Sequence, residues 1–436
     1  MEFDESSIIL TKLLDKKTKK ENGIFFTPYS IIEKTYDIIN PIIEAQLLIK
    51  KIKRKNNIIE DYHILEPSCG SCQFIKKLNH KILKNNSNNI NITGIEYNKI
   101  IYDLIKKSSI LKQNHIKIIN DDFIRYEFTN KFNLIIGNPP YFIIKKNKID
   151  KKYYELFDGR PNIFIIFIIK CMELLCNNGI LAFIIPLNFI NCLYYDKLRY
   201  KIYSEFKIIS IINCDEFDFL ETKQSTIILI IQKMDKHIIK LFRSGDIKYY
   251  NDKFLINNSH YTIFNTIVNV KKINKIIENS HTLSSLNFNA TIGTVVWNQV
   301  KHLLTNDNTK SLLIYSSNIE KNTLIEKTYK NISKKTHINK DGVVDICLLL
   351  NRGYGTGDYK FNYHILETDK QYLVENHLII IKYAYNIEKN DHKKKLTKIT
   401  ESFDNNKTKE FVKLYFGNNA INCAELVYCL PIFGFN

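Results

Sequence analysis

Residues 62–74 read YHILEPSCGSCQF. The apolar run YHILE ends in an acid, turns through Gly70 and enters a helical pattern over 71–84. A sharp turn from a strand end into a helix N-terminus is where nucleotide-like ligands sit in open α/β sheets, and a glycine eases it. The helix N-terminus also suits the carboxylate of an amino-acid cofactor. Alone, this is one glycine turn and no GxGxxG, so its weight comes from its surroundings. The runs 91–96 (NITGIE), 116–119 (IKII), 132–136 (FNLII), 180–185 (ILAFII), 208–212 (IISII) and 226–231 (TIILII) are of the same kind. Most are continuously apolar rather than alternating, as in a parallel sheet covered on both faces. Helical patterns over 29–39, 98–112, 162–176 and 195–205 lie between or beside them. The alternation predicts an α/β fold, doubly wound around a mostly parallel, seven-stranded sheet.

The rhythm is lost beyond about residue 240, where the asparagine-rich stretches FLINNSH and NDNTK appear. A chain of 436 residues is long for a single core. Two domains are expected, 1–240 and 241–436, the second of mixed α+β type with strand-like pieces at 312–315 and 343–350. The run KNDHKK at 389–394 is expected to be a solvated loop. The formal net charge of +18 suits a polyanionic partner, nucleic acid above all. Abundant Ile, Asn and Lys together also fit an AT-biased coding sequence, so charge alone decides little. The nine cysteines are scattered. Cys69 and Cys72 form one CxxC without a second pair at zinc spacing, so buried thiols, no metal site and a reducing compartment are expected. The opening MEFDESSIILTKLLDKKTKK has no signal-peptide h-region. The greasiest stretch, 163–169, is too short to span a bilayer, so no membrane association is expected.

Three successive strands of the predicted sheet end in carboxylates. Glu66 closes the first. Glu96, closing the second, sits where an acid accepts hydrogen bonds from ribose hydroxyls. Asp121 and Asp122 close the third. A carboxylate there can accept from the exocyclic amine of an adenine ring, with Phe123 beside the ring. Each has a plainer reading as a strand-ending charge or an Asx turn, but their recurrence on one edge favours a nucleoside-bearing cofactor. The fourth strand runs into GNPPYF, residues 137–142. An aromatic amine is a poor nucleophile because its lone pair is delocalised. A site that alkylates one must hold the NH2 with acceptors and align it. Asn138 offers a side-chain oxygen, and its backbone carbonyl is expected to be available as a second acceptor. Pro139 and Pro140 stiffen the loop, and Tyr141 can stack on a base.

With these motifs in this order, residues 20–232 resemble the gamma-class N6-adenine DNA methyltransferases of restriction–modification systems and large DNA viruses. FFTP at 25–28, EPSCGSCQF at 66–74, Glu96, the Asp122–Phe123 pair and NPPY at 138–141 carry the resemblance. In the second of these, Cys72 stands where the family has a glycine. Two weaker matches are DGRPNIF at 158–164 and the segment 216–231. The resemblance implies a Rossmann-like methyltransferase sheet followed by a target-recognition domain, with S-adenosylmethionine as cofactor. Thr27 and Pro28 would line its methionine end, and Glu66, Gly70, Glu96, Asp122 and Phe123 would bind it. Asn138, Pro139, Pro140 and Tyr141 would form the catalytic loop. Phe219, with Phe217 as runner-up, would face Tyr141 across an extruded adenine.

The resemblance further implies double-stranded DNA as partner, a cognate restriction endonuclease as a candidate partner, and a monomer in the cytoplasm or in a viral replication compartment. In the second domain Trp297, Gln299, Lys301, His302 and Arg352 are candidates to touch DNA. Two other readings remain open. Asn-Pro-Pro-Tyr loops also serve N-methyltransferases acting on protein glutamine or on RNA, which hold a similar planar NH2. A catalytically silent DNA-binding module is the other, although an intact NPPY argues against it.

Overall fold

The computed structural model describes residues 5–55, 60–82, 89–108, 112–216, 224–234, 246–353, 359–416 and 420–435. Continuously apolar strands need cover on both faces, and here seven of them obtain it in one sheet: β1 (Tyr62–Glu66), β2 (Ile90–Glu96), β3 (Ile116–Asn120), β4 (Phe132–Gly137), β5 (Leu175–Pro186), β6 (Phe206–Asn213) and β7 (Thr226–Lys233). Their order is β3-β2-β1-β4-β5-β7-β6. All neighbours run parallel except β7, which is antiparallel to both β5 and β6. The pleat sorts side chains to the two faces. On β5, Leu181, Phe183 and Ile185 enter one apolar cluster, while Ile180, Ala182 and Ile184 enter the other.

Helices α1 (Glu5–Leu13), α2 (Lys16–Asn22), α3 (Tyr29–Lys55), α4 (Gln73–Ile82), α5 (Lys99–Ile105), α6 (Ile163–Leu174) and α7 (Asp196–Glu205) complete these layers. The first cluster draws on α6 and α7, the second on α3, α4 and α5. Expected over 29–39, α3 instead continues to Lys55 across Pro41. Ile31, Ile32, Thr35, Tyr36, Ile39 and Ile43 form one buried stripe on both sides of the proline, and that packing offsets the hydrogen bond the proline cannot donate. Because β1 pairs with both β2 and β4, the sheet winds outward in both directions from it. A crevice at the carboxyl ends of β1 and β4 follows from that reversal.

The chain divides into two units, Met1–Ile256 with Tyr261–Val270, and Asn257–His260 with Lys271–Asn436. The first unit therefore extends past the expected boundary at 240. Buried Asn251 explains why: its side-chain oxygen accepts from Ile208 N–H at 2.9 Å, and its amide donates to the Tyr203 and Phe206 carbonyls. Phe254 and Phe264 join the first apolar cluster. The second unit holds an antiparallel sheet of Tyr363–Leu366, Cys347–Asn351, Leu378–Tyr383 and Phe288–Ile292, in that order, and a mixed four-stranded sheet that includes Ser311–Ile314. The lysine run at 389–394 is not a loop but the start of a helix, Lys389–Asp404. The helix buries Leu396, Ile399 and Phe403, residues that lie beyond that polar window. Among the described residues no helix is long and apolar enough to cross a membrane, and no cluster of three or more His, Cys, Asp or Glu could hold a metal ion.

Candidate active site

At the carboxyl ends of β1 to β4 lies a cleft of about 790 Å³, lined among others by Gly70, Glu96, Asp122, Phe123, Asn138 and Pro140. The turn after β1 places Gly70 at φ +49° and Cys72 at φ +59°. Both are in the left-handed region, where a side chain costs about 1–2 kcal/mol. Cys72 thus holds a backbone conformation that favours glycine, and its fully buried thiol packs into the second apolar cluster. The turn directs the Gly70 N–H onto a Glu96 carboxylate oxygen at 2.8 Å, and the other oxygen accepts from Asn98 N–H at 2.7 Å. Burial pushes the Glu96 carboxyl up to about 7, against those two N–H donors. Each oxygen keeps a lone pair for a further donor.

Glu66 lies beneath the turn, 2% exposed, accepting from Ile75 N–H at 3.3 Å. Burial holds its carboxyl well above the usual carboxylate range. It does not line the cleft. At the end of β3, Asp122 accepts from Ile124 N–H at 2.9 Å, an Asx turn that leaves the carboxylate at the cleft wall. Phe123 packs on Phe167 with ring centroids 4.7 Å apart. The ammonium of Lys170 caps this loop by donating to the carbonyls of Phe123, Ile124 and Tyr126 at 2.7–2.9 Å. Sequence reasoning missed Lys170. Its one signal is a cation ending the otherwise apolar IFIIFIIK.

In the Asn-Pro-Pro-Tyr loop the Asn138 amide nitrogen faces the Phe25 carbonyl at 3.3 Å and the Thr27 hydroxyl at 3.1 Å. A carbonyl only accepts, so this pairing fixes which end of the amide is NH2. The oxygen points the other way, where it accepts from the Tyr141 hydroxyl; that hydroxyl is also 2.8 Å from the Ile184 carbonyl on β5. The expected acceptor on the Asn138 backbone is already engaged by the Ser68 hydroxyl at 3.1 Å, which leaves it one lone pair. The Tyr141 ring meets Phe164 edge-on at 6.1 Å. Pro139 is buried and Pro140 faces the cleft.

Thr27 and Pro28 are buried and do not line the cleft; Thr27 instead steadies Asn138, and the Pro28 carbonyl accepts from Ile31 and Ile32 at the start of α3. Gly23, which sequence reasoning also missed, caps α2 at φ +61°. A Cβ there would come within 2.6 Å of Tyr141 N, so the segment before FFTP lies directly on the Asn-Pro-Pro-Tyr loop. Phe217 and Phe219 fall outside the described residues.

Residues 15–219 match the family described as Eco57I restriction-modification methylase. Over that stretch the chain is similar to the restriction–modification methylases. The chain is 27% identical over 436 residues to the type II methyltransferase M.CvrRI of Paramecium bursaria Chlorella virus XZ-6E, with 99% of each chain covered. It is 25% identical to the modification methylase CviBIII of Paramecium bursaria Chlorella virus NC1A, over 97% of this chain and 96% of the relative. Its fold is similar to that in the DrdV–DNA complex, with a TM-score of 0.50 at 12% identity, covering 95% of this chain and 56% of that one. S-adenosylmethionine is the methyl donor of methylases of this kind. The cleft fits it: a buried carboxylate, Glu96, with lone pairs left for hydroxyl donors, stands at one wall, and Asp122 with Phe123 at another.

Proposed function

We propose that this chain transfers a methyl group to N6 of adenine in double-stranded DNA, with the target base extruded into the cleft. The observation that carries this reading is the orientation of the Asn138 amide. Phe25 and Thr27 hold its NH2 end, so its oxygen is the end presented toward Tyr141, and an acceptor is what an aromatic NH2 requires.

The bound cofactor supplies an electrophilic methyl on a sulfonium. The protein contributes position and charge. Glu96 accepts the ribose hydroxyls, Asp122 accepts from the exocyclic amine of the cofactor's adenine, and Phe123 packs beside that ring. Asn138 Oδ1 has two lone pairs. One takes the Tyr141 hydroxyl, and the other takes a hydrogen of the target amine. As the N–C bond forms and the sulfonium's bond to the methyl breaks, leaving a neutral thioether, the amine becomes pyramidal and acidic. The contact strengthens as positive charge develops, and the surplus proton is lost to water. Tyr141 and Phe219 bracket the extruded base, and stacking on them offsets part of the cost of leaving the duplex. The second unit, from Lys271 onward, serves as the target-recognition region.

Transfer of labelled methyl to duplex DNA, to RNA and to a glutamine-bearing peptide tests the substrate class, and long-read sequencing of DNA from a methylation-free host expressing the chain tests the atom. N6-methyladenine at a defined sequence is expected. Methylcytosine, or label only in RNA or peptide, would refute the reading.

A further inference from the structure

The second unit carries an unusual loop. Ile332 is 85% exposed, more than any other large apolar side chain among the described residues. Single exposed apolar residues are ordinary; this one is distinguished by its mount and by its neighbours. The run from Lys327 to Lys340, bounded by Glu326 and Asp341, contains five lysines (327, 330, 334, 335 and 340), of which Lys327 is paired with Glu320. Its tip, residues 330–333, is exposed throughout. It is also turned tightly: Asn331 accepts from Ser333 N–H through its side chain at 3.0 Å and from Lys334 N–H through its carbonyl at 2.9 Å.

Below the tip the loop is clamped. The Lys334 ammonium sits 4.0 Å from the Tyr315 ring centroid, 5.0 Å from that of Tyr329 and 5.5 Å from that of Trp297. Such a cage holds a cation by the ring quadrupoles. The Tyr315 hydroxyl donates to the Lys335 carbonyl at 2.8 Å, and the Tyr329 hydroxyl donates to Asn318 at 3.0 Å. The Thr336 carbonyl then accepts from Leu313 N–H at 2.9 Å, tying the returning strand to the sheet. Trp297, a candidate for touching DNA, is half-buried and forms one wall of this cage.

We infer that residues 330–335 form a wedge for duplex DNA, in which Ile332 presses against the bases of a groove and Lys330 and Lys335 lie on the flanking phosphates. The inference rests on DNA being the substrate. Water disfavours a lone apolar side chain held at the tip of a turned loop, and a base step offers it an apolar surface. Lys330 at the tip and Lys335 beside it, with no acid between them, match a polyphosphate and mismatch an apolar protein patch. A rigid mount matters because an apolar tip on a slack loop would lose much of its binding energy in ordering.

The test uses the full chain, with binding of a fluorescent duplex followed by anisotropy across a salt series. Ile332→Ala is expected to weaken duplex binding about tenfold with an unchanged salt slope, since no phosphate contact is lost. Lys330→Ala should lower the slope of log K against log salt by about one. Cofactor titration and melting temperature, which should stay at wild-type values, check that both variants remain folded. Wild-type duplex affinity in Ile332→Ala, while the unaltered protein still methylates DNA, overturns the wedge and leaves the substrate reading intact. An unaltered protein that methylates RNA or peptide and not DNA overturns the substrate reading and the wedge with it.

Discussion

Replacing Tyr141 by Phe keeps the ring and removes only the hydroxyl, so it separates stacking from positioning. The hydroxyl lies against Asn138 Oδ1 and 2.8 Å from the Ile184 carbonyl. It has one hydrogen, which can serve one of these acceptors at a time. Its removal forfeits one ordinary hydrogen bond, about 0.5–1.5 kcal/mol, and frees the Asn138 amide to swing about its remaining contacts with Phe25 and Thr27. If about 1.4 kcal/mol of that appears in the transition state, the chemical step slows about tenfold. Asn138→Ala, which removes the acceptor itself, should cost about 3 kcal/mol, roughly a hundredfold. Since the hydroxyl acts through Asn138, the double variant should be no slower than Asn138→Ala alone. Single-turnover methylation at saturating cofactor reads all three rates, and duplex affinity should change less than about twofold in Tyr141→Phe because the ring remains. An additive double variant, or a wild-type rate in Tyr141→Phe, would refute the positioning role.

The Glu96 carboxyl, at about 7, must be ionised to accept ribose hydroxyls, so cofactor affinity should rise with pH and level off above 7. Calorimetric titration should find binding about tenfold weaker at pH 6 than on the plateau, and Glu96→Ala should flatten the profile. Without cofactor the sign reverses: the folded carboxyl lies above its unfolded value, so melting temperature should fall as pH rises from about 4.5 to about 7. Gly23→Ala puts a Cβ 2.6 Å from Tyr141 N on a left-handed backbone. It should lower melting temperature and slow methylation at least tenfold, and a wild-type rate would mean that the contact is slack. A mismatch opposite the target adenine should partly rescue Phe219→Ala, because less unpairing is required, but not Asn138→Ala; equal rescue in single-turnover assays would place Asn138 in base extrusion.

Local signals determined much of this protein by sequence alone. Strand runs, the glycine turn and the NPPY loop depend on neighbours within a few positions, so the seven strands and the crevice at their ends were legible. Whatever depends on distant packing was not. The sequence could offer Asn138 as an acceptor, but its amide is oriented by Phe25 and Thr27, more than a hundred positions away. Thr27 read as cofactor lining, and only the structure puts its hydroxyl on that amide, because α2 ends on Gly23 and lays the segment over the Asn-Pro-Pro-Tyr loop. Cys72 looked like a missing glycine and, with Cys69, like a buried thiol; only the fold shows its backbone at φ +59°, in the left-handed region that favours glycine. The first unit's extent was hidden for the same reason. Asn251 is one more asparagine in a polar stretch until it meets the edge of β6, where burial makes its three hydrogen bonds decisive.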